Sequence, residues 1–175
     1  MTANIDSLRP HFDQITERWW ELTKFAHEIY PQLVPLSYWD VLQAVDNLLG
    51  PRPNVVFKYQ DHEYTALPRH LLSEVLHHDR TDLRMVRPDL VDCDNFALQF
   101  KASMDYWFNW TAVGYVHDET AWHAYNLLVF ADKTAVLLEP QRDLVVRVDG
   151  PINLGVQVPP PSSGFYDLGA GLVLL

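Results

Sequence analysis

A single cysteine, Cys93, stands in this chain of 175 residues. That excludes an internal disulfide and the clustered thiolates of a structural zinc site. Basic side chains are scarce as well: 13 Lys and Arg face 23 Asp and Glu, for a formal net charge of −10. Such a surface repels phosphate backbones. The basic residues do not cluster, and the aromatic–basic pattern of a single-strand binder is missing, so no nucleic-acid partner is expected. No apolar run reaches the ~20 residues of a membrane span. The opening segment MTANIDSLRP lacks the basic and apolar order of a secretory signal. The expectation is a soluble, cytoplasmic protein with no membrane partner.

What is present is a core. Apolar residues make up 48% of the chain and aromatics 13%, enough to bury roughly two-thirds of the unfolded surface in one domain. Residues 11 to 30 set Phe12, Ile15, Trp19, Leu22, Ala26 and Ile29 on one stripe, which predicts an amphipathic helix ended by Pro31 and Pro35. Ser37 is placed as the N-cap of a second helix through YWDVLQAVDNLL, closed by Gly50 and Pro51. NVVFKYQDHEYTAL alternates as a short hairpin with Asp61 and His62 near its turn. PRHLLSEVLHHD predicts a third helix from about Pro68, and residues 80 to 92 a loop. A fourth helix follows from Cys93 to Phe108, with Phe96, Ala97, Phe100, Met104, Trp107 and Phe108 as its apolar positions.

The pattern then changes to four candidate strands, WTAVGYVH, AWHAYNLLVFA, TAVLLEPQ and LVVRVDG. Their close spacing predicts an antiparallel sheet. The tail is loop-like up to GLVLL, which suits an edge strand or a piece packed on the core. The fold class is α+β: a helical N-terminal region over residues 1–67, and a core over 68–175 made of the Cys93 helix and the sheet.

Cys93 precedes the apolar run of its helix. Unpaired N–H groups and the positive end of the dipole favour a thiolate there and offer a donor to an oxyanion. Such a thiol needs a base, and the base an orienting group. His123 lies mid-strand among apolar neighbours, and Glu139 ends the next strand before Pro140. A three-residue turn at Ala131–Asp132–Lys133 pairs Phe130 with Thr134, so that Tyr125 faces Glu139 and His123 faces Gln141. His123 and Glu139 then share a face as diagonal neighbours, Cβ atoms about 7 Å apart. A two-residue turn would put Glu139 on the opposite face, leaving Asn126 or Gln141 to be considered.

Other clusters carry plainer readings. Asp92 and Asp94 suit the cap of the Cys93 helix. His70, Glu74 and His77, with His78 beside them, share a helix face but lack the H-E-x-x-H spacing of a zinc site. In HDETAWH, the polar residues His117, Asp118 and Glu119 make a turn rather than a metal site with His123. Trp19 and Trp20 point about 100° apart on their helix. One of them therefore needs cover from the second helix or, as the lesser alternative, from a second copy of the chain in a homodimer.

The order Cys on a helix start, His on a strand, acid on the next strand resembles the papain-like cysteine peptidases. The strings CDNFA, HAYN and EPQ are most similar to the protease domain of the chimeric mushroom agglutinins, over about residues 90 to 145. The resemblance implies a papain-like fold, with Cys93 as nucleophile, His123 as base and Glu139 as orienting residue. It implies a thiol hydrolase acting on an amide or related acyl bond of a protein or peptide substrate. It also implies calcium activation, but Asn95 follows Asp94 where those proteins carry acidic residues, so no cofactor and no metal ligand is assigned. The upstream glutamine that donates to the oxyanion has no clear counterpart; Gln60 is the one candidate in a loop. A transglutaminase-like acyltransferase uses the same parts. The alternative of another class is a catalytically silent protein-binding module on the same scaffold, using the aromatic helical half.

Overall fold

A computed structural model describes residues 5–86, 91–146, 168 and 170–175, with the side chains described from residue 13 onward. The α+β class holds. Helix α1 spans Ile5–Ile29 and runs into a short 3-10 turn at Tyr30–Gln32. The apolar stripe is covered only toward its C-terminal end. Ile29 is buried, and Phe25 packs edge-on against Phe108 with ring centroids 6.0 Å apart. Trp19 touches Trp107 at 4.7 Å yet stays 55% exposed, and Trp20 is 72% exposed. This corrects the expectation that the second helix covers the tryptophan pair: that helix packs elsewhere, against the sheet.

The second helix, α2 (Tyr38–Leu49), has the predicted bounds because its start and stop are both chemical. The Ser37 hydroxyl accepts from the Asp40 N–H, and the Asp40 carboxylate accepts from the Ser37 N–H at 3.1 Å, two orphan donors satisfied reciprocally. Gly50 takes φ 65 and donates to Asp46 O at 2.8 Å to close the C-terminus. Helix α3 (Leu72–Asp79) follows a 3-10 turn at Arg69–Leu71, and a further 3-10 turn at Thr81–Leu83 interrupts the expected loop. Helix α4 (Cys93–Phe108) is as read from the sequence. Its buried Phe96, Phe100, Met104 and Phe108 each contribute about 1.5–3 kcal/mol of burial.

The predicted hairpin over residues 54 to 67 does not form. Strand β1 (Val34–Ser37) pairs antiparallel with β3 (Glu63–Ala66) in a two-stranded sheet. Strand β2 (Val55–Lys58) instead pairs in parallel with β8 (Gly171–Leu174). The loop between β2 and β3 turns onto α2 rather than back on itself: the Tyr38 N–H donates to His62 O at 2.9 Å.

The main sheet adds β4 (Val113–Asp118), β5 (His123–Val129), β6 (Ala135–Glu139) and β7 (Leu144–Val146), in the order β2-β8-β4-β5-β6-β7. It is mixed rather than antiparallel throughout, because the chain end enters beside β2. The GLVLL tail is thus an interior strand rather than an edge strand, and it packs on the core through Val173 and Leu175. The segment RVDG of the fourth candidate strand, and most of the tail before it, lie outside the described residues. Buried Trp110 donates its indole N–H to Val129 O at 3.0 Å, and buried Asn126 donates to Ala97 O of α4 and Gly114 O of β4 at 2.9 and 3.1 Å. These bonds lock α4 across the middle of the sheet, where an unpaired polar group would be costly.

Candidate functional site

The start of α4 places Cys93. Asp92 is the N-cap; its N–H donates to the Asn95 side chain at 3.2 Å, and its carbonyl accepts from the Phe96 N–H at 3.1 Å. Cys93 is the first helical residue and is half-buried. The Asp94 carboxylate accepts from the Asn95 N–H at 2.7 Å, a local cap contact.

Hairpin register places the other two residues. The turn after β5 has three residues, with Lys133 in the left-handed region at φ 59, the geometry that suits a hairpin of this length. Phe130 N donates to Thr134 O at 2.9 Å, and Asn126 pairs with Leu138. His123 at the start of β5 and Glu139 at the end of β6 therefore lie diagonally on one face. Their side chains meet, His123 Nε2 to Glu139 Oε2 at 2.6 Å, with Glu139 only 3% exposed. Glu139 Oε1 accepts from the Gln141 N–H at 3.3 Å. Asn126, whose amide donates to backbone carbonyls, and Gln141, met through its backbone, do not take the place of Glu139 beside His123.

Cys93 joins the pair through a side-chain hydrogen bond to His123. Burial works against a charged imidazole. The bonds to Cys93 and Glu139, and their negative charge, outweigh it and raise the His123 pKa from 6.5 to about 9. Tyr115 lies against the same helix start: burial first, then the charges of Asp94, Cys93 and Asp92, push its phenol up. The three side chains singled out from the sequence are thus brought together. Chemically, they hold a proton on an imidazole that lies beside a sulfur.

The turn leading into His123 carries residues whose role the sequence did not disclose. Buried Asp118 organises it. Oδ1 accepts from the Thr120 and Ala121 N–H groups at 2.9 and 3.0 Å. Oδ2 accepts from the Tyr125 hydroxyl and the Leu168 N–H, each at 3.1 Å. Trp122 closes the turn at φ 50 and is 82% exposed. The Asp-x-Thr string signals a turn, but the contact with residue 168 has no local signal.

The remaining candidates lie apart from this centre. His78 stacks on Phe25 at 4.0 Å, with burial pushing its pKa down. Among the described residues no group of three or more His, Cys, Asp or Glu is arranged to hold a metal. Gln60 lines a different cavity, with Tyr38 and Trp39. Among the described residues no helix is long and apolar enough to cross a membrane.

The fold is shared with solved structures of a lectin. PSL1a in complex with E64 matches with a TM-score of 0.58 at 20% identity, over 81% of this chain and 51% of that one. Polyporus squamosus lectin bound to the human-type influenza-binding epitope Neu5Acα2-6Galβ1-4GlcNAc matches with a TM-score of 0.56 at 20% identity, over 81% of this chain and 49% of that one. The chain spans about half the length of these structures. No family model matches the sequence, and no curated protein does.

These matches correct the peptidase assignment. The expected papain-like cysteine peptidase, and the thiol hydrolase it implied, give way to a fold shared with PSL1a in complex with E64 and with a lectin bound to a sialylated trisaccharide. The physical reason lies in what the strings CDNFA, HAYN and EPQ determine. They fix a thiol, an imidazole and a carboxylate in contact, and that contact sets the ionisation of a centre without setting the function of the molecule.

Proposed function

We propose that this chain is a binding module with carbohydrate as its ligand. The observation that carries this reading is the match of 81% of the chain to a lectin described with a bound sialylated trisaccharide. It favours the binding-module alternative over the hydrolase, and a glycan over a protein or peptide substrate. Cys93, His123 and Glu139 are the proposed reactive centre of the module: a sulfur beside an imidazole that holds its proton, oriented by a buried carboxylate. The exposed Ile15, Trp19 and Trp20 on α1 support a homodimer as part of the same proposal.

Binding to an array of immobilised glycans that includes the sialylated trisaccharide tests the reading. The expected result is saturable retention of one class of glycan by the wild-type protein. Retention of none would overturn it. Iodoacetamide and E64, the compound named with one neighbour, serve as mass-spectrometric probes of Cys93. The adduct is expected on the folded wild type, and slower in His123→Ala. A thiol that reacts only after unfolding would remove the reactive centre from the proposal.

A further inference from the structure

A second site lies where the loop after β2 meets the start of α2. A cavity of about 410 Å³ opens there, lined by Tyr38, Trp39, Tyr59, Gln60, Asp61 and His62. Its walls are held by backbone bonds. The Tyr38 N–H donates to His62 O at 2.9 Å, the Gln60 N–H to Leu175 O at 3.2 Å, and the Asp61 N–H to the Tyr64 hydroxyl at 3.2 Å. The site is therefore preformed, which lowers the ordering cost of binding.

Its lining combines two chemistries. Tyr38 sits edge-on to Trp39 and to Tyr59, with ring centroids 5.1 and 5.0 Å apart, and Trp39 is 71% exposed. An exposed indole offers a flat apolar face. Beside it stand the amide of Gln60, the carboxylate of Asp61 and the imidazole of His62, which supply donors and acceptors. An apolar face and a rim of planar polar groups match a hexopyranose, which has a C–H face and a girdle of hydroxyls.

We propose that this cavity is a subsite for a neutral hexopyranoside. The proposal rests on the carbohydrate-binding reading above and names the site and ligand class for it. Charge selects the neutral sugar. Asp61 lines the cavity, the chain carries a net −10, and an acidic sugar would meet like charge there. The Cys93–His123–Glu139 centre contributes no residue to this lining.

Calorimetric titration with N-acetyllactosamine and with its sialylated trisaccharide tests the site. The wild type is expected to bind N-acetyllactosamine more tightly. Trp39→Ala should weaken that binding about tenfold or more, and Asp61→Asn should narrow the preference against the sialylated sugar. Tyr106→Ala, which removes a comparably exposed ring on α4, should change neither. Trp39 is exposed, so its variant is expected to fold, as thermal melting checks. N-acetyllactosamine binding unchanged in Trp39→Ala, or a preference unchanged in Asp61→Asn, overturns the subsite and leaves the binding reading standing. No saturable binding of either sugar overturns both.

Discussion

His123 concentrates the electrostatics of the centre in one ring. Its folded pKa of about 9 lies above the ordinary 6.5, so the folded state favours the proton. The stabilisation is fully present below pH 6.5 and is lost as pH rises through about 9. The shift corresponds to on the order of 3 kcal/mol. Melting temperature measured against pH should therefore fall more steeply for the wild type than for Glu139→Gln between these two values. A variant curve parallel to the wild type would show that Glu139 does not hold the imidazole's proton. This part of the site was legible because it depends on counting: the helix start placed Cys93, and one hairpin turn of three residues placed Glu139 against His123. Asp118 was not legible as an organiser, because one of its four bonds comes from Leu168, fifty residues away in sequence.

At the scale of elements, the legible parts were those with local causes. The Ser37–Asp40 box and Gly50 bound α2, and apolar spacing bounded α4. The hairpin over residues 54 to 67 failed because alternation reports which side chains face a core, not which strand lies beside them. The partner of β2 comes from the other end of the chain, and no window of sequence around Val55 contains it. Gly171 is where that long-range insertion becomes tight. It adopts φ 153, and a Cβ there would lie 2.0 Å from His117 O. Gly171→Ala should thus force β8 away from β4 and cost about 3 kcal/mol, read by thermal or denaturant unfolding. A variant as stable as the wild type would mean that the β4–β8 contact is looser than this geometry requires. The exposed face of α1 carries the complementary lesson: periodicity located the stripe on that helix but could not tell which part of it finds cover.

For the whole molecule, apolar patterning set the α+β class and composition a sizeable core, whereas three chemically matched residues over-determined the function. Side chains that suit a thiol hydrolase occupy a fold shared with a lectin of known structure. The aromatic lining of the proposed sugar subsite was visible in the sequence only as a density of rings, because Tyr59 joins Tyr38 and Trp39 from a separate strand end. The proposed function is binding rather than cleavage. Its most direct test is mass spectrometry of a diverse peptide library incubated with wild type and with Cys93→Ala, reading new peptide termini. The account predicts the same peptides from both proteins. Termini generated by the wild type and lost in Cys93→Ala would contradict it.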